Sequence, residues 1–194
     1  MSGDHDELPV AARVRRLEER LIAAGLATDE ELDKILEQVF SSASPVNGAR
    51  MVARAWKDPG YRDRLLADGN TAAEELGFGG GTQGYLLKAV ANTPTVHNMI
   101  VCTLCSCYPT ALLGPSPSWY KSFAYRSRAV REPRAVLAEF GLELPDSTEI
   151  RVWDANSETR YLVLPLRAAG ADDMDDSELA SLVTRNGLIG TAVR

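Results

Sequence analysis

The sequence predicts an α/β protein: a helical N-terminal arm over residues 1–80, then an α/β domain over residues 81–194 that holds a cysteine cluster in the loop after a strand. Three observations predict it. Apolar residues recur at helical spacing through the arm, with no strand signal among them. Gly79-Gly80-Gly81 then interrupts the chain with residues that neither pack nor hold one backbone conformation. Beyond it, short runs rich in β-branched and aromatic residues alternate with turn formers and helical segments.

Within the arm, Val10, Val14, Leu17 and Leu21 form one stripe on a helix that Gly25 terminates. Thr28 with Glu31 reads as a capping box for the next helix, whose Leu32, Ile35, Leu36, Val39 and Phe40 share a face. The stretch from Ser41 to Pro45 breaks that pattern. Ala49, Val52, Ala53 and Trp56 mark a third helix, stopped by Asp58-Pro59-Gly60, and Thr71 with Glu74 caps a short one before Gly77. Apolar stripes with little core of their own predict a large apolar partner interface.

In the second part, Tyr85 to Val90 and Val96 to Val101 read as strands separated by the turn-forming Asn92-Thr93-Pro94. Tyr108 to Ser118, with Pro109, Gly114, Pro115 and Pro117, reads as an irregular loop. Pro133 and Gly141 bracket a helix carrying Val136, Leu137 and Phe140. Ile150 to Trp153 and Tyr161 to Leu164 are strands about a turn at Asp154 to Ser157. A last helix, opened by Asp175 or Asp176, runs to Asn186-Gly187.

With 45% hydrophobic and 25% charged residues, the chain has the balance of a soluble globular protein. No apolar run approaches the roughly 18 residues of a membrane span, and the polar start is unlike a secretory signal, so a cytoplasmic protein without a membrane partner is expected. Acidic residues outnumber basic ones, 27 to 21, which argues against broad nucleic-acid binding. The triple glycine is not followed by a lysine and hydroxyl residue at phosphate-loop spacing, and nothing else suggests an organic cofactor.

All 3 cysteines fall in one window, Cys102-Thr103-Leu104-Cys105-Ser106-Cys107, which excludes a disulfide framework. Three thiolates at C-x-x-C-x-C spacing can converge on one ion. The short gap also brings the amide nitrogens of Ser106 and Cys107 between sulfurs, where a strongly Lewis-acidic ion could displace their protons. A structural zinc site wants a fourth side chain, and only His97 is near. Soft thiolate with anionic amide nitrogen instead suits trivalent cobalt or iron with one position open for chemistry. The competing readings are an inert cluster and a thioredoxin-like pair at Cys102 and Cys105, the latter opposed by Cys107 and Pro109 standing where its helix would run.

The segment Val101-Cys102-Thr103-Leu104-Cys105-Ser106-Cys107-Tyr108-Pro109 resembles the metal-binding motif of the nitrile hydratase α subunit. Asn92-Thr93-Pro94, Trp119-Tyr120-Lys121, Val130-Arg131-Glu132-Pro133-Arg134, Ile150-Arg151-Val152-Trp153-Asp154 and Arg160 to Pro165 fall in the same order as in that family. The resemblance implies a layered α-β-β-α domain carrying a cysteine-claw metal loop. It implies a metal held by Cys102, Cys105, Cys107 and the backbone nitrogens of Ser106 and Cys107, with Cys105 a sulfinic and Cys107 a sulfenic acid. Thr103, where iron members usually have serine, resembles the cobalt class, so cobalt(III) is expected ahead of iron(III).

The implied activity is hydration of a nitrile to an amide, with Cys107, Cys105, Ser106 and Gln83 as catalytic or supporting groups. The implied partners are a β-type subunit that lends arginines to the site and a maturation or activator protein. Arg126, Arg128 and Arg131 are read as structural ion pairs rather than substitutes for those arginines. After Cys-Tyr-Pro the family usually continues with Trp-Pro, whereas this chain has Thr110 and Ala111. With Leu113 these residues predict an enlarged pocket for a bulky or heteroaromatic nitrile, such as a cyano-substituted purine-like nucleoside. The rival functions are a thiocyanate hydrolase γ-type subunit and a non-catalytic metal-binding or redox module.

Overall fold

The computed structural model describes residues 9–79, 82 and 84–194; the side chains of residues 38–41 lie outside the described set. Gly80, Gly81 and the side chains of Val39 and Phe40, used above, therefore fall outside it. The chain divides into two compact units, residues 1–41 and 42–194.

In the first unit, α1 (Val10–Ala23) ends where Gly25 adopts φ +66°, and the N–H groups of Ala24 and Gly25 return to the carbonyls of Arg20 and Ile22. The expected reciprocal cap opens α2 (Asp29–Ser42): the Thr28 N–H donates to Glu31 Oε2 at 2.9 Å, and the Glu31 N–H to Thr28 Oγ1 at 3.2 Å. Val10, Val14 and Leu17 on α1 and Ile35 and Leu36 on α2 are all exposed, so the stripes are real and uncovered.

The second unit opens with three capped helices: α3 (Pro45–Lys57), α4 (Pro59–Ala67) and α5 (Gly69–Glu75). The expected breaks at Ser41 to Pro45 and at Asp58-Pro59-Gly60 both contain helix starts, with Ser44 capping α3. Asp58 accepts from the Tyr61 N–H and begins α4, with Pro59 in the first turn where its missing N–H costs nothing. The cap of α5 is Asp68, not Thr71, whose hydroxyl donates to the Asp68 carboxylate. These helices bury Met51, Val52, Leu65 and Ala72 in the common core. The division at 41/42, earlier than the expected 80/81, follows from that burial: α3 to α5 belong to the domain and not to the arm.

The remaining elements are β1 (Leu86–Ala91), β2 (Val96–Val101), α6 (Thr110–Leu113), α7 (Ser118–Lys121), α8 (Phe123–Arg131), α9 (Pro133–Glu139), β3 (Glu149–Asp154), β4 (Thr159–Leu164), α10 (Asp176–Ser181) and α11 (Arg185–Ile189). Successive strands go to different sheets. β1 pairs in parallel with β4 from Leu86 opposite Thr159, and β2 pairs in parallel with β3 from Val96 opposite Glu149. Helices α4 and α5 pack on β1 and α11 on β4; β4 meets β2; α8 and α9 cover β2 and β3. The order is α-β-β-α, as the resemblance implies. The loop from Tyr108 to Ser118 contains the one-turn α6, and the last helical stretch is broken into α10 and α11.

A buried polar knot holds the crossing from β1 to β2. The Asn92 carboxamide oxygen accepts from the Asn98 N–H at 2.8 Å and the Asn98 side chain at 3.0 Å, and the Trp153 indole donates to Asn98 at 2.8 Å. His97 donates its Nε2–H to the Gly190 carbonyl at 2.7 Å, which leaves Nδ1 to accept from the Asn92 amide at 3.3 Å. Gly190 has φ +88°, and a β-carbon there would collide with the Asn98 carbonyl oxygen.

Candidate metal centre

The cluster sits where β2 runs out. Cys102 follows its last residue and is fully buried, Cys105 is exposed and Cys107 is half-buried. The chain turns back tightly, with the Cys105 N–H donating to Cys102 Sγ at 3.3 Å. Cys102 and Cys105 sulfurs are 3.4 Å apart, Cys105 and Cys107 sulfurs 3.1 Å, and all three lie within 4.8 Å of one another.

The loop is pinned from three sides. Thr103 donates its N–H and its hydroxyl to the Asp154 carboxylate at the end of β3, at 2.9 and 2.6 Å. Arg126 reaches the Thr103 carbonyl from α8 at 3.4 Å. The Tyr120 hydroxyl on α7 donates to the Cys107 carbonyl at 3.0 Å, and the Tyr125 hydroxyl on α8 donates to the Ile100 carbonyl at 2.6 Å.

The sulfurs are electrostatically unlike. Hydrogen bonds from the Cys107 and Cys102 thiols and from the Ser106 and Cys107 N–H groups bring the Cys105 thiol down to about 7. Burial pushes the Cys107 thiol up to about 11, reinforced by its bond to Cys105, while the Arg160 guanidinium pulls the other way. The first proton lost from the pair therefore leaves Cys105. Arg160 comes from β4, lies over the Tyr85 ring at 5.2 Å and donates to the Asn156 carbonyl. Its buried Nε finds no hydrogen-bond partner among the described residues.

Convergent sulfurs, one of them readily ionised, fit a soft or borderline ion. His97 does not complete a zinc set, because both ring nitrogens are committed to Asn92 and Gly190. Arg128 binds Glu132 and Glu139 at 2.7 and 2.6 Å, and Arg131 donates to the Ser127 carbonyl, so both are structural; Arg126 instead touches the claw loop. Gln83 lies outside the described residues. Thr110 is exposed and Ala111 half-buried, but Leu113 is fully buried in the core and offers no wall to a ligand. The expected three-residue pocket is corrected accordingly: α6 turns Leu113 inward, beside Leu112.

Sequence reasoning missed Asp154, Arg160 and Tyr120 as neighbours of the cluster. The only signal was their presence in the family-ordered segments. The proximity of Asp154 and Arg160 depends on the parallel pairing, which brings the end of β3 and the start of β4 round to the loop, whereas Tyr120 arrives on α7.

Fold and site together define a metal-claw chain, with three sulfurs gathered at the end of a parallel strand pair in an α-β-β-α domain. The family model for the nitrile hydratase alpha chain matches residues 8–192. The low-molecular weight cobalt-containing nitrile hydratase subunit alpha of Rhodococcus rhodochrous is 50% identical over 95% of this chain and 88% of that one. The thiocyanate hydrolase subunit gamma of Thiobacillus thioparus is 41% identical over 98% of this chain and 80% of that one. Among solved structures, a double mutant of the Fe-type nitrile hydratase from Comamonas testosteroni Ni1 superposes with a TM-score of 0.89 at 42% identity, covering 94% of this chain and 89% of that one. The chain belongs to the nitrile hydratase alpha chain family.

Proposed function

We propose that this chain is the catalytic α subunit of a cobalt-type nitrile hydratase, hydrating a nitrile to its amide. The observation that carries the reading is the triad of sulfurs within 4.8 Å of one another, in a family with a cobalt-containing relative at 50% identity. Cys102, Cys105, Cys107 and the backbone nitrogens of Ser106 and Cys107 would hold the ion, and Thr103 supports cobalt over iron. When bound, cobalt(III) supplies the Lewis acidity that makes a nitrile carbon, or water, reactive.

The chain's own groups take distinct parts. Buried Cys102 anchors the set. Cys105, the thiol that ionises first, would be the sulfinic acid and Cys107 the sulfenic acid, with an external oxidant such as dioxygen taking up the electrons and supplying the oxygen atoms. Arg160 offsets the negative charge that these oxygens bring. Gln83 is retained as a supporting amide. Exposed Leu104 and Phe123, beside the claw and at the start of α8, support closure by a β-type subunit that adds arginines. An activator protein would supply the metal.

Exposed Thr110 and half-buried Ala111 leave room on the loop's outer face, which supports a bulky heteroaromatic nitrile such as toyocamycin. A thiocyanate hydrolase γ-type role is the second reading, favoured by the 41% identical relative. The test is co-production with the natural partner in cobalt-containing medium, followed by metal analysis, intact mass, and kcat/KM for toyocamycin, acrylonitrile and thiocyanate. Bound cobalt, about three added oxygen atoms and nitrile hydration favouring toyocamycin are expected. Thiocyanate turnover without nitrile turnover overturns the reading in favour of the second. Zinc without added oxygen overturns both.

A further inference from the structure

We infer that Tyr120 and Tyr125 are positioning residues that set the span of the claw, a role that rests on the proposed metal centre. Their hydroxyls grip the carbonyls on either side of it: Tyr125 holds Ile100, two residues before the first cysteine, and Tyr120 holds Cys107, the last. The two grips are parts of one rigid body. Tyr120 and Tyr125 rings lie 5.7 Å apart, and Trp119 packs edge-on against both, at 6.0 and 4.8 Å. Phe140 closes on Trp119 at 4.6 Å, and Tyr108, the residue after the claw, packs on Tyr120 at 5.1 Å.

Both tyrosine side chains are buried, so neither hydroxyl has a competing water-facing role. Between the grips, Thr103 is tied to Asp154 and Arg126, while Leu104, Cys105 and Ser106 stand exposed. The aromatic body therefore holds the Cys107 end of the span, in addition to the turn bond from the Cys105 N–H to Cys102 Sγ inside the loop. Losing the Tyr120 hydroxyl frees the Cys107 carbonyl to rotate, and with it the neighbouring Cys107 nitrogen and sulfur. Small displacements of this kind cost far more at a reacting site than in stability.

The test uses the full chain with its partner and cobalt, comparing wild type, Tyr120→Phe, Tyr125→Phe and Tyr61→Phe. Tyr61 is the control: its buried hydroxyl donates to the Ala72 carbonyl at 3.0 Å, in α5 and away from the claw. The readouts are cobalt per chain, the sulfur-to-cobalt charge-transfer absorption of the resting complex, and kcat and KM for the best nitrile. Tyr120→Phe is expected to shift the absorption band and lower kcat roughly tenfold with KM changed less than about twofold, while Tyr61→Phe leaves the band in place. A Tyr120→Phe complex with wild-type band and kcat overturns the inference alone, as does an equal shift in Tyr61→Phe. Should Tyr120→Phe fail to assemble, Tyr125→Phe decides by the same band. A wild-type complex without cobalt or nitrile turnover overturns the proposed function and this inference with it.

Discussion

Thr103 and Asp154 are joined twice, with the backbone N–H of one and its hydroxyl both received by the carboxylate of the other. The contact ties the first turn of the claw to the end of the strand paired with β2. It also gives the residue read as a cobalt-class marker a mechanical part, since its side chain is one of the two links. Thr103→Val keeps the backbone link and removes the other. A stability loss of about 1 kcal/mol by urea unfolding is expected, with Thr103→Ser close to wild type. A Thr103→Val variant as stable as wild type would show that the hydroxyl link contributes nothing.

The metal-free, reduced chain should show ordered thiol reactivity. Cys105 is exposed and its thiol lies near 7, whereas Cys107 is pushed to about 11. Raising the pH through 7 should switch on alkylation at Cys105 first, with Cys107 the slower of the two at any pH below about 11. Mapping by mass spectrometry checks the order. Arg160→Gln should slow Cys107 further, because the guanidinium is what opposes its burial.

His97 predicts acid lability. Burial lowers its pKa, against a smaller opposing effect from the Gly190 carbonyl. A histidine depressed in the folded state binds its proton more readily when unfolded. Its contribution is therefore complete above the ordinary value of about 6.5 and is lost as pH falls from there through the folded value. Protonated Nδ1 would face the Asn92 amide donor. Denaturant titrations across this range should show stability falling towards acid, and His97→Gln should flatten the slope.

Gly190→Ala meets two obstacles at once: φ +88°, and the Asn98 carbonyl oxygen standing where the new carbon would go. A loss of at least ~2 kcal/mol is expected, read as a lowered denaturant midpoint. Gly25→Ala, in the arm with open space around it, should cost about 1 kcal/mol by strain alone.

The elements legible in the sequence are those set by local chemistry. Thr28 with Glu31, Pro133 with Gly141, and Asp175, which caps α10 with Glu178 in a full box, are decided within a few residues of themselves. The claw was legible because three like sulfurs within six positions have few structural uses. Pairing was not legible. Nothing around Asn92-Thr93-Pro94 or Asp154 to Ser157 says that the flanking strands belong to different sheets, because the choice is made by layers packing on layers. Arg160 and Asp154 escaped for the same reason. Leu113 was misplaced because an apolar residue after a substrate-loop motif reads equally well as wall or core, and only the turn of α6 decides.

The strand pairing also orders events in time. Each sheet joins a strand before the claw to one well after it, so neither sheet can close until the chain has been made through Asp154 and then Leu164. Asp154 is itself the anchor for Thr103. Until Asp154 has been made, the three cysteines therefore lack the tie that runs through Thr103. The native placement of the first turn of the claw is thus completed by residues made some fifty positions after it, and the middle of the molecule takes its final form only when the later strands arrive.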